Sequence, residues 1–392
     1  MNWKQAVVLV ILVGIVSSIV WYSLWTQLDS SMRNIASKNQ VIDNLVKESN
    51  EKSNLENIEN KTVEVTNDKK IDNTNPIKIL TNEDGYHWNW ILKEFENTTW
   101  IKTLTSFTED SMLTRLANRE EWDIIFNKIS SELVEAKNKD LLWTINNKLV
   151  LNNVAVENKD SDNKWFNLTY RVRSFYVKKW VTEFPKTYEE LSDPKYKWKI
   201  CIRPLSHTYN IQLIWYMIAK HGEEYTKKWL YWLNDNLALP ASWNDRDQVK
   251  NIFNGKCDIS VWNSYYMWLM LSTDEQRDWA NSVNLYFPNQ ETDWALALYN
   301  GIWLTKSGEK NWNIDKLINF LLSPLWQQYL ASTNFEFPAD KSVKIESEMI
   351  KSFWKFQNID VNQIKLDNAI TQENIANQRE NALLLVKELP IK

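Results

Sequence analysis

Few residue types in this 392-residue chain are spaced to do chemistry. The three histidines (His87, His207, His221) are scattered, which leaves little room for a His-rich metal site. Two cysteines exclude any four-cysteine zinc or iron–sulfur centre. No Gly-x-Ser-x-Gly, no His-Glu-x-x-His and no phosphate-cradling glycine loop occurs, so no enzyme is expected. Phenols and guanidiniums remain. Tyr265 and Tyr266 are adjacent. A phenol titrates near 10 and becomes a good oxygen donor only where a nearby cation favours its anion. Successive strand residues face opposite sides, so the pair could converge only from a loop or bend. By itself, a Tyr–Tyr dipeptide among 15 tyrosines is ordinary half-buried packing.

Positioning such groups takes a scaffold. Ile77 to Leu80 reads as a strand, Ile91 to Phe95 as the core face of a helix, and Ile101 to Leu104 as a second strand. Ser111 to Arg119 reads as a helix and Asp123 to Phe126 as a buried strand. The order recurs with Ile200 to Arg203 (strand), Ile211 to Lys220 and Glu224 to Trp232 (helices), Val249 to Phe253 (helix) and Asp258 to Val261 (strand). One long amphipathic helix is expected over residues 315–331. Strands alternating with helices predict an α/β fold with parallel strands, and two such units predict a bilobal binding protein. Tyr265 and Tyr266 follow the strand expected to end near Val261, and ligand sites favour the loops at the carboxyl ends of such strands.

Hydrophobic residues at 44% and charged residues at 24% exclude wholesale disorder, and a net charge of -4 gives no reason to expect nucleic acid. No charged residue lies between Lys4 and Asp29, and Ala6 to Val20 is almost purely aliphatic. About 20 apolar residues span a bilayer as a helix, so residues 1–28 are expected to be an N-terminal transmembrane anchor, with a cleaved signal peptide as the other reading. Either places the rest of the chain outside the cytoplasm. Residues 29–75, rich in Asn, Lys, Glu and Ser, read as a polar tether.

The chain holds only 6 Gly beside 23 Trp. Trp198, Trp243, Trp294 and Trp312 stand in small polar clusters that mark turns, where glycine supplies positive φ without a steric penalty. The expectation is an alternative genetic code in which UGA means glycine. The other reading is tryptophan enrichment for aromatic ligand binding.

A run of segments then points to a family. It comprises Trp165 to Arg173, Thr187-Tyr188-Glu189-Glu190-Leu191 with Asp193-Pro194-Lys195, and Ile202-Arg203 leading to Ser206-His207-Thr208-Tyr209-Asn210. It continues with Gly255-Lys256-Cys257-Asp258-Ile259 into Asn263-Ser264-Tyr265-Tyr266, then Phe287-Pro288-Asn289-Gln290, Leu321 to Pro324 and Phe335 to Pro338. From Ile77 to Lys392 the chain resembles the extracytoplasmic iron(III)-binding proteins of ABC importers. The family carries Gly where Trp122, Trp198, Trp232, Trp243, Trp262, Trp268 and Trp294 stand here.

The resemblance implies a bilobal type II periplasmic-binding-protein fold with an interlobe cleft. Lobe 1 would comprise residues 76–168 and 296–340, and lobe 2 residues 169–295 and 341–392. It implies capture of Fe(III), a hard cation that prefers oxygen donors, by tyrosinates from Tyr209, Tyr265 and Tyr266. The family's first-lobe ligand loop corresponds to Asn82 to His87. Asp84 occupies the ligand position there, Tyr86 and His87 reach it with a one-residue shift, and a plain turn is the remaining reading. Arg171, Arg173 and Arg203 could bind carbonate or another synergistic anion through their planar forks. A monomer that delivers its cargo to an ABC permease is expected. An organic cargo (polyamine, sugar, thiamine-like or phosphonate) is the alternative for the same fold. Cys201 and Cys257 precede segments that, as neighbouring strands, would bring them within disulfide range; two buried thiols are the other reading.

Overall fold

The apolar run Ile77–Thr81 forms strand β1, and Gly85–Thr99 forms helix α1, which buries Ile91, Leu92 and Phe95. Thr103–Phe107 (β2), Met112–Ala117 (α2), Ile124–Asn127 (β3), Leu133–Asn138 (α3) and Lys148–Asn153 (α4) follow. β1 pairs in parallel with both β2 and β3, as the alternating pattern predicts. The computed structural model describes residues 75–389 except 83–84, 109–110, 119, 129–131, 334, 341, 344–363, 371–373 and 376. The expected anchor, nearly all of the tether and Asp84 therefore lie outside the described residues, as do the side chains of Tyr86 and His87. Among the described residues, no helix is long and apolar enough to cross a membrane.

The element that organises the molecule is Trp165–Lys178 (β4), a 14-residue strand buried along nearly its whole length. The remaining elements, in order, are Ile200–Cys201 (β5), Thr208–His221 (α5), Glu223–Asp235 (α6), Asp245–Phe253 (α7), Ile259–Asn263 (β6), Tyr266–Leu271 (α8), Asp274–Asn281 (α9), Val283–Tyr286 (β7) and Ala297–Leu304 (β8). Asn313–Leu321 (α10), Pro324–Thr333 (α11), Phe337–Pro338 (β9) and Arg379–Glu388 (α12) complete the chain. The strand order is β2-β1-β3-β8-β4-β6-β5, with β7 and β9 also on β4. β4 changes partner along its length. Residues 165–172 pair antiparallel with β8, and residues 173–178 pair with β6 and β7. Parallel pairing was expected throughout, but β3–β8, β4–β8 and β4–β6 are antiparallel, because β4 and β8 cross between the two parallel groups.

The helix expected over 315–331 is two helices, α10 and α11. Pro324 has no backbone N–H and disfavours helical geometry at Ser323, so the first helix ends before it and Pro324 opens the next. β5 and β6 pair in parallel, and this register joins Cys201 to Cys257 as a disulfide with a Cα separation of 5.9 Å. Closing a loop across the 56-residue separation restricts the unfolded chain by about 4 kcal/mol on a chain-entropy basis.

The backbone has a clear abnormality in its turns. Nine described residues other than glycine have positive φ, and five of them are Trp100, Trp180, Trp198, Trp243 and Trp294, with φ of 60 to 76°. A side chain costs about 1–2 kcal/mol there. All five indoles are exposed, Trp180 at 94%. Trp312, also expected in a turn, has φ of -63°. Trp262 and Trp268 are fully buried.

Candidate functional site

Asn263 ends β6, and the chain turns sharply through Ser264 and Tyr265 into α8. Several bonds fix this bend. The Tyr176 hydroxyl donates to the carbonyls of Asn263 (3.0 Å) and Ser264 (3.1 Å). Ser264 N–H donates to the Val172 carbonyl (2.9 Å), and Val172 N–H donates to Ser264 Oγ (3.2 Å). Because Tyr265 is in the helical region (φ -62°, ψ -25°), the two adjacent rings do not diverge as in a strand. They stack with centroids 4.1 Å apart and planes 29° apart.

Tyr209 comes from the first turn of α5. His207 caps that helix, its Nδ1 accepting the Tyr209 N–H at 3.2 Å. Burial, with Arg203 and Arg173 nearby, pushes the His207 imidazole down to about 3, so it stays neutral and able to accept. Tyr209 is 5% exposed and lies under two guanidinium groups, Arg171 at 5.4 Å and Arg203 at 5.7 Å from its ring centroid. Tyr209 is an electrostatic neighbour of both Tyr265 and Tyr266, so the three expected tyrosines share one region of the fold. Burial pushes the Tyr265 phenol well up, and the neighbouring Tyr209 and Tyr266 add to this against the pull of Arg171. Burial likewise raises Tyr266, beside Tyr209 and Asp245. Without a cation the Tyr265 and Tyr266 phenols hold their protons at neutral pH.

The arginines have protein partners. Arg173 is fully buried; its Nη1 donates to Asn263 Oδ1 (3.1 Å), while Nη2 donates to the Val261 carbonyl (3.0 Å) and to Asn210 Oδ1. It thereby staples the start of α5 to the end of β6, the two segments that carry the tyrosines. Arg171 donates to Asn300 Oδ1 (2.5 Å) and the Lys128 carbonyl (2.7 Å) and pairs with Glu336 (3.3 Å). Arg203 pairs with Asp245. A carbonate or other anion would have to compete with these acceptors. Sequence reasoning missed Asp245 and Tyr176, and gave Asn210 and Asn263 no role of their own. Asp245 follows the helix cap Asn244 and reads in sequence as an ordinary acidic residue of a first helical turn.

Residues 123–365 match the family model of bacterial extracellular solute-binding proteins. The chain belongs to this family. Among the relatives of this solute-binding protein, iron uptake protein A1 of Synechocystis sp. is 28% identical over 290 residues, 72% of this chain and 80% of the relative. The apo ferric ion-binding protein A of Pasteurella haemolytica is 32% identical at a TM-score of 0.72, covering 80% of this chain and 97% of that one. A Trichodesmium protein solved with iron and citrate ligands is 24% identical at a TM-score of 0.72, covering 81% of this chain and all of that one (100%); that likeness carries the fold alone.

Proposed function

We propose that this solute-binding protein captures iron(III) outside the cytoplasm through the phenolates of Tyr209, Tyr265 and Tyr266 and delivers it to the permease of an ABC importer. The observation that carries this reading is that the stacked Tyr265 and Tyr266 rings and the Tyr209 ring under Arg171 and Arg203 sit on two segments that the buried Arg173 ties together. Three phenolates would neutralise a trivalent ion, and their hard oxygens favour it over softer divalent metals. The ferric and iron-uptake relatives support the same cargo. Loading displaces phenol protons, so retention weakens as pH falls.

On this reading the protein is a monomeric carrier without chemistry on its cargo. Residues 76–168 with 296–340 and residues 169–295 with 341–392 are its two lobes. The change of partner along β4 and the antiparallel β8 beside it support hinge closure about these strands. Asp84, Tyr86 or His87 would complete the metal's ligands from lobe 1, with carbonate at the arginines as the anion. Residues 1–28 anchor the chain in the membrane, and residues 29–75 hold the head near the permease, raising its effective concentration. The excess tryptophan is read as glycine encoded by UGA, a reading supported by the five exposed indoles at positive φ.

Thermal melting tests the cargo. Iron(III) citrate is expected to raise the melting temperature, while polyamines, sugars, thiamine and phosphonates leave it unchanged. A shift with an organic solute and none with iron would reverse the reading.

A further inference from the structure

Asp245 is a buried acid at the site that the ligand set does not use. It is 1% exposed and opens α7, where the positive end of the helix dipole favours its anion. One carboxylate oxygen, Oδ2, takes the ion pair with Arg203, whose side chain is 13% exposed. The other, Oδ1, is buried with no completed hydrogen bond among the described residues. The Tyr266 side chain neighbours this carboxylate. On the other side of the pair, the Arg203 guanidinium covers the face of Tyr209. The pair therefore borders two of the three candidate ligands, Tyr209 through Arg203 and Tyr266 through Asp245.

We propose that Arg203 and Asp245 are positioning residues that hold the Tyr209 ring and the Tyr266 hydroxyl at the spacing the captured metal needs. Such a role explains why two charges are placed under a binding site where apolar packing would fill the same space. A buried pair is weak as a source of stability but sets geometry, and groups that orient metal ligands typically contribute about 10–100-fold to affinity. The pair also leaves the charge of the phenolates to match the ion, since its own charges cancel.

This inference rests on the tyrosinate reading, and its test separates the two. Iron(III) is titrated into the full chain and into Asp245→Asn, with the phenolate-to-metal charge-transfer band and retention against citrate as readouts. The variant is expected to shift or weaken the band and lose iron to citrate at about ten-fold lower chelator concentration or less. Because Asp245→Asn strands the Arg203 charge, the double variant Arg203→Gln/Asp245→Asn is measured beside it. It restores neutrality and is expected to melt near the parent while keeping the altered band. A parent without any band defeats the tyrosinate reading itself. A coloured parent with an unchanged band and retention in a folded variant defeats the positioning pair alone.

Discussion

Tyr265 and Tyr266 face the same way because Tyr265 adopts helical geometry just after β6, and Tyr176 and Ser264 lock that bend to β4. Away from the site, Asp293 shows how the surrounding charges set stability. Burial opposes its ionisation, but hydrogen bonds from Asn289, Lys220 and Thr292 outweigh this and hold its carboxyl at about 2, against an ordinary 3.8. The folded chain therefore binds fewer protons than the unfolded chain between these values. The stabilisation is complete above about pH 4 and lost as pH falls through about 2. Asp293→Asn is expected to lower the melting temperature at pH 7, with the gap to the parent closing as the pH drops through that window. A gap independent of pH would contradict the assignment.

At the scale of elements, most strands and helices were legible because apolar runs and turn clusters alternate cleanly. β1, β3, α6 and β6 lie where periodicity puts them, and α5 lies there apart from three extra residues at its start. β4 does not show in the sequence as one long strand, since a strand buried on both faces has no alternation to reveal it. The break at Pro324 was legible from the proline and was overridden by the apolar pattern around it. Turns carry the abnormal tryptophans. Trp198, Trp243 and Trp294 stand among small polar neighbours that mark turns in the sequence, whereas Trp100 and Trp180 stand out only by their φ values. Replacing Trp180 by glycine removes the left-handed penalty at a smaller entropic cost, so Trp180→Gly is expected to stabilise the fold by about 1 kcal/mol in chemical denaturation. A destabilised variant would argue that this indole belongs there.

For the whole molecule, the three candidate tyrosines were legible as a set only through family resemblance, because spacing in sequence says nothing about Tyr209, more than fifty residues before the pair. The staple of Arg173 and the Arg203–Asp245 pair were not legible, since buried charge pairs form between segments distant in sequence. What unites these parts is β4, which pairs with β8 along its first half and with β6, the strand that leads into Tyr265 and Tyr266, along its second.

The most direct measurement is a visible-absorption titration of the full chain with iron(III), repeated on the Tyr265→Phe/Tyr266→Phe variant. A band that saturates at one iron per chain, and vanishes in a variant that still melts cooperatively, is the predicted result. A colourless parent, or an equal band in the variant, would contradict capture by these phenolates.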